Sequence, residues 1–224
     1  MPTNSQIAVL FANSLLLAGG PSSAAPLQDY LEDHCSDCHD SATAKGDFDM
    51  EILISGITNV VTMRLDNIST NHAGLGLSDK NVHGIGHGED CNGKSPEQAR
   101  DIIRVHHMKL LADLAAKFKT IPEGDGTMLD NTTIIYLSDS GNGHHGNLNN
   151  WPYIVIGGSG GRLKIAGRYI QYPSYGAEGH KTIGNWWTTL LNAFGNPIDH
   201  YGNLDLNLKK NGVAQTGALS ELIA

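Results

Sequence analysis

An acid and two imidazoles gather where an apolar run of this chain ends. Ser138-Asp139-Ser140-Gly141 follows Ile134-Ile135-Tyr136-Leu137, and His144-His145 come next, before a second apolar run, Tyr153-Ile154-Val155-Ile156. A carboxylate oxygen and neutral imidazole nitrogens are ligands that Zn²⁺ or a related divalent ion accepts. The plain alternative is a turn capped by Asp139 and Ser140 with both imidazoles solvated, and a motif of this size leaves both readings open.

A different chemistry is written in Cys35-Ser36-Asp37-Cys38-His39. Two thiols three positions apart with a histidine directly after the second have the spacing of c-type haem attachment, the thiols bonding the vinyl groups and His39 the iron. The same two cysteines fit a disulfide or a small thiolate metal site. The third cysteine, Cys91, stands alone in a polar stretch.

These groups need elements to hold them. The runs at 134–137 and 153–156 have the length and β-branched, aromatic content of buried strands, and a third strand is expected over 60–65. Ser95-Pro96-Glu97-Gln98 supplies an N-cap, a proline at the first helical position and an early acid. From there Ala99, Ile102, Ile103, His106, Leu110, Leu114 and Phe118 predict one apolar stripe on a helix reaching about Lys119, with His107 beside it. Ile121-Pro122-Glu123-Gly124 stops that helix, and a second helix is expected from Thr182 to Phe194. Residues 66–96, rich in Gly, Asn, His and Asp, are too long for a plain connection and read as a functional loop holding His72, His83 and His87. Gly157-Gly158-Ser159-Gly160-Gly161 lacks the Lys-Ser/Thr of a phosphate-binding loop and reads as a tight turn, with a small hairpin or edge strand expected over 163–172.

Composition narrows the partners. The chain has 224 residues, 27 of them Gly, and a formal net charge of -8 without any Lys/Arg run, which argues against nucleic acid as a partner. The apolar stretch 7–19 is too short to span a bilayer, which takes about 20 apolar residues, and it is followed by Ser22-Ser23-Ala24-Ala25. An export signal over residues 1–25, giving a secreted or periplasmic protein, is the expectation, with a buried N-terminal helix as the alternative.

Two resemblances add to this. Around the CxxCH motif, Leu27-Gln28-Asp29-Tyr30-Leu31-Glu32-Asp33-His34 and Lys45-Gly46-Asp47-Phe48-Asp49 resemble the start of a planctomycete-type cytochrome c domain, which implies haem c at Cys35, Cys38 and His39. Further on, Gly124-Asp125-Gly126-Thr127-Met128-Leu129-Asp130-Asn131-Thr132, Ser138-Asp139-Ser140-Gly141, His144-His145, Asn147-Leu148, Pro152 and Gly157-Gly158, taken in order, resemble the C-terminal half of secreted members of the alkaline-phosphatase-like and sulfatase-like superfamily. That resemblance implies divalent ions (Zn, Ca or Mn) at strand ends, held by His83 and His87 of His83-Gly84-Ile85-Gly86-His87, by Asp139, and by His144 or His145. It also implies hydrolysis of phosphate or sulfate esters, the substrate being a small-molecule or saccharide ester, with Arg168 or Lys181 as anion contacts. Ser140 stands where active members carry a histidine, and the segment that bears the superfamily's nucleophile has no counterpart here, so the resemblance assigns no catalytic residue.

The expected fold is therefore α/β, a mostly parallel sheet flanked by helices as in a partial alkaline-phosphatase-like fold, with a short N-terminal helical segment. The divisions expected are a signal-like segment at 1–25, a cytochrome-like segment at 26–50, the α/β domain at 51–205 and a weakly patterned tail at 206–224. A truncated sheet exposes an edge, which makes a homodimer an expectation as well. The alternative function is that of an exported, non-catalytic metal-binding or haem c electron-transfer protein.

Overall fold

A computed structural model describes the backbone of residues 5–11 and, with side chains, residues 60–67, 69–138 and 150–224. Cys35, Cys38, His39, Asp139, His144 and His145 lie outside the described residues.

Among the described residues four strands form the sheet: β1 (Ser5–Phe11), β2 (Val60–Arg64), β5 (Thr132–Ser138) and β6 (Tyr153–Ile156), in the spatial order β2-β1-β5-β6. Two-residue strands β3 (Pro122–Glu123) and β4 (Gly126–Thr127) make a separate small hairpin. The α-helices among the described residues are α1 (Val82–Gly86), α2 (Pro96–Thr120), α3 (Met128–Asn131), α4 (Ile183–Ala193) and α5 (Leu206–Lys210). No helix among the described residues is long and apolar enough to cross a membrane.

Strand β5 explains the layering. Along it the side chains alternate: Ile134 and Tyr136 pack with Leu111 and Phe118 of α2, while Ile135 and Leu137 pack with Trp186 and Leu190 of α4. Both faces of the sheet are thus covered by a helix, and Ile134 and Ile135 are each 0 % exposed. Burying a side chain of that size contributes about 1.5–3 kcal/mol.

The chain therefore mixes helices and strands, but every strand pair among the described residues is antiparallel: β1 with β2, β1 with β5, β5 with β6, and β3 with β4 in the small hairpin. The expected parallel sheet is not seen there, and the reason is physical. An unbroken apolar run such as 134–137 records burial on both faces, which parallel sheets usually have. Here helices supply that burial to an antiparallel sheet, so the run says nothing about direction.

The N-terminal stretch also departs from expectation. Ser5–Phe11 is a strand and not a helix, with Ile7 opposite Met63 on one side and Tyr136 on the other. A short apolar run does not separate strand from helix by periodicity. This strand falls inside the stretch 1–25 read as an export signal.

Other elements match their signals closely. Ser95 caps α2 in a capping box with Gln98, its Oγ accepting from the Gln98 N–H while Gln98 Oε1 accepts from the Ser95 N–H. Thr182 and Asn185 form the same arrangement at α4. The glycine cluster is a tight turn for a steric reason: Gly157 lies at φ +109°, and a Cβ there would stand 2.1 Å from the Thr132 carbonyl oxygen. Residues 163–172 form no hairpin; Leu163 makes a single bridge to Ile223. The weakly patterned tail carries α5 and places Leu208, Leu219 and Leu222 in the interior.

Candidate metal centre

Three side chains from three separate parts of the chain meet against one face of the sheet. Asp66 follows β2 by two residues, His72 precedes a 3-10 turn at Ala73–Leu75, and His107 lies in the middle of α2. The short return from Asp66 to His72 is tied by the Thr70 N–H donating to the Asn67 carbonyl at 3.0 Å and the Asn67 N–H donating to Thr70 Oγ1 at 2.8 Å. His107 is fixed by α2, whose Leu111 and Phe118 are packed into the core cluster against the sheet.

The geometry converges on one oxygen. His72 Nε2 and His107 Nε2 each stand 3.7 Å from Asp66 Oδ2. One ligand atom from each of the three residues can be chosen so that all lie within 4.8 Å of one another, and this is the only such group of three among the described residues. Exposure is 6 % for Asp66, 9 % for His72 and 1 % for His107. Neither Nε2 has a hydrogen-bond partner, although both are buried. Buried polar atoms are rarely left unsatisfied, so two such nitrogens aimed at one carboxylate point to an occupant.

The donor set fits a divalent cation. Two imidazole nitrogens and one carboxylate oxygen form the ligand set of several catalytic zinc sites and of non-haem iron sites, with positions left open. Two ligands with bonds of ~2.1 Å at a tetrahedral angle stand ~3.4 Å apart, and the two imidazole–carboxylate separations of 3.7 Å lie close to that value. Electrostatics helps: burial is the largest influence on both rings and lowers their pKa below the ordinary value, with Asp66 pulling the other way. Neighbouring imidazoles, including His106, lower both further. The rings are held neutral with lone pairs available, as metal ligation requires.

Behind His107, Nδ1 makes a hydrogen bond of 3.0 Å with the Tyr136 hydroxyl. Tyr136 belongs to β5, two residues before Ser138. The strand whose end was singled out in the sequence therefore does reach the site, through a residue not singled out.

His83 and His87 are brought together as their spacing implies, with ring centroids 4.6 Å apart. Their helix α1 is capped by Asn81, whose side chain accepts from the Gly84 N–H at 2.8 Å, and Ile85 packs against Ala99 and Ile103. They do not join the group of three. Of the two anion contacts considered, Arg168 is already engaged, donating to the carbonyls of Lys164 and Glu221 at 2.9 and 2.6 Å.

Sequence reasoning missed this centre. The sequence reading puts His107 beside the apolar stripe and His106 on it; Ala99, Ile103 and Phe118 of that stripe are buried, but the other buried positions are His107 and Leu111, and Leu110 is 42 % exposed. The signal was present as an unbroken i+4 ladder, 99-103-107-111, with a polar rung. Comparison with known proteins leaves the site to be read on its own geometry: no family model, no curated protein and no solved structure matches the chain.

Proposed function

We propose that this chain is a metal-dependent hydrolase of phosphate or sulfate esters, with Asp66, His72 and His107 holding the ion. The observation that carries the reading is the pair of buried, unpartnered Nε2 atoms facing a single Asp66 oxygen. A divalent ion in that setting supplies Lewis acidity toward an ester oxygen and a nucleophile drawn from water at neutral pH, which suits a chain without an assigned nucleophile. The chain's own residues do the rest. Asp66 provides the negative charge that attracts the cation, the two imidazoles provide neutral lone pairs, and the surrounding core keeps bulk water from competing for them.

The sequence resemblance is what turns a metal site into a hydrolase. In this reading Asp139, the next residue after β5, and His144 or His145 add ligands or substrate contacts from the segment that follows the strand, and His83 and His87 are the candidates for a second ion. Export to a secreted or periplasmic location, with a small-molecule or saccharide ester as substrate, belongs to the same reading.

The test is metal content and turnover on the same preparations. Wild-type protein should carry or take up about one Zn²⁺, Mn²⁺ or Ca²⁺ at this centre and hydrolyse an aryl phosphate or aryl sulfate. Asp66→Ala and His107→Ala should lose the ion and at least about 10²-fold in rate while keeping the wild-type circular dichroism spectrum. Metal bound without turnover on either ester would replace the hydrolase with a non-catalytic metal-binding protein. Stoichiometric iron with a Soret band would favour haem c at Cys35, Cys38 and His39.

A further inference from the structure

We infer that Tyr136 is the positioning residue of this centre: its hydroxyl fixes the proton of His107 on Nδ1 and so keeps Nε2 bare for a cation. The inference rests on the metal reading above. It concerns a residue outside the group of three.

A neutral imidazole has one proton and two nitrogens to put it on, and the nitrogen that keeps the proton cannot bind an ion. Two oxygens face the ring nitrogens of His107, a carboxylate that only accepts and a phenol that can donate or accept. Asp66 Oδ2 lies 3.7 Å from Nε2, too far for a hydrogen bond, while the Tyr136 oxygen lies 3.0 Å from Nδ1. With the proton on Nδ1 the ring donates to Tyr136 at good distance, and the atom left unsatisfied is a lone pair. With the proton on Nε2 the ring would bury an N–H whose nearest acceptor, Asp66 Oδ2, stands beyond hydrogen-bond distance at 3.7 Å, and orphaned buried N–H groups are rarer than orphaned acceptors. The phenol thus decides the tautomer in favour of the one that can ligate.

Both partners are held rigidly enough for this to matter. Tyr136 lies in an inner strand, opposite Ile7 of β1 and Ile154 of β6, and its ring packs edge-on against His107 with centroids 5.9 Å apart. His107 is 1 % exposed in a helix of 25 residues. Outer partners of metal-binding imidazoles commonly change metal affinity by about 10–100-fold when removed.

The experiment uses the full chain, metal-free and then titrated with Zn²⁺ alone, as wild type and as Tyr136→Phe. Long-range ¹⁵N–¹H correlation at about pH 8, where an ordinary imidazole is neutral, reads which ring nitrogen of His107 carries the proton. Competition with a chromophoric chelator reads the Zn²⁺ affinity. In the wild type the proton should be on Nδ1; in Tyr136→Phe it should move toward Nε2, and Zn²⁺ should bind about 10–100-fold more weakly. A hydroxyl that only supports the fold would lower the melting temperature and leave the ring proton and the Zn²⁺ affinity where they were, which overturns the inference. So does a wild-type proton on Nε2. A wild-type protein with the expected tautomer that takes up no Zn²⁺ overturns the metal reading itself, and with it any part for Tyr136 in ion binding.

Discussion

His72 and His107 meet the solvent hardly at all, and that fixes how the centre answers to pH. Burial lowers the pKa of both rings in the folded state, against an unfolded value of about 6.5. Below that pH the unfolded chain binds protons that the folded rings refuse, so folding stability falls as pH drops from about 6.5 toward the folded values, and is insensitive to these two rings above it. Urea unfolding of metal-free protein should show midpoints that are flat from pH 8 to about 7 and decline toward pH 5. His72→Gln/His107→Gln should decline less steeply over the same interval. Equal slopes would mean that both rings titrate in the folded protein as they do in water. With Zn²⁺ present the wild-type decline should steepen, because ion and proton compete for the same lone pairs.

At the scale of elements, the rotation of α2 is what turns His107 inward, and it can be checked away from the metal. Leu111 is 1 % exposed and belongs to the cluster with Ile134 and Phe118, whereas Leu110 is 42 % exposed. Leu111→Ala should cost about 2–5 kcal/mol of unfolding free energy and Leu110→Ala within about 0.5 kcal/mol of nothing, measured by chemical denaturation. The opposite ranking would restore the stripe through His106 and Leu110 and take His107 out of the core. Element existence was legible in this sequence because each signal was local: Ser95 and Pro96 open α2, Thr182 opens α4, and Tyr153–Ile156 is a strand where its β-branched run stands. The face of α2 was harder to read, because two i+3/i+4 ladders overlap there, one through His106 and Leu110 and one through His107 and Leu111, and apolar spacing alone does not choose between them. Strand direction was not legible, since Ile134 and Ile135 are buried whichever way their neighbours run. Asp66 escaped notice for a third reason: it acquires its role only when the turn through Asn67 and Thr70 brings His72 back beside it.

For the whole molecule, the strand nearest the N-terminus carries more than its position suggests. β1 lies between β2 and β5 and pairs with both along its length, Gln6 to Leu10 opposite Arg64 to Val60 and Ser5 to Phe11 opposite Ser138 to Thr132. Asp66 hangs two residues beyond β2, and Tyr136 and the face that receives His107 belong to β5. Removing β1 would therefore separate the strand that presents the carboxylate from the strand that steadies the imidazole, and would bare two strand edges whose backbone groups seek new partners. A variant lacking residues 1–11 should melt far lower and less cooperatively than the full chain, bind Zn²⁺ at least about 10²-fold more weakly, and associate in sedimentation velocity runs. Processing after Ala25 would remove the same strand. Comparing the 1–11 deletion with a form that begins at Pro26 locates the effect: equal loss of Zn²⁺ binding in both assigns it to β1, whereas wild-type binding by either form would mean the centre assembles without that strand.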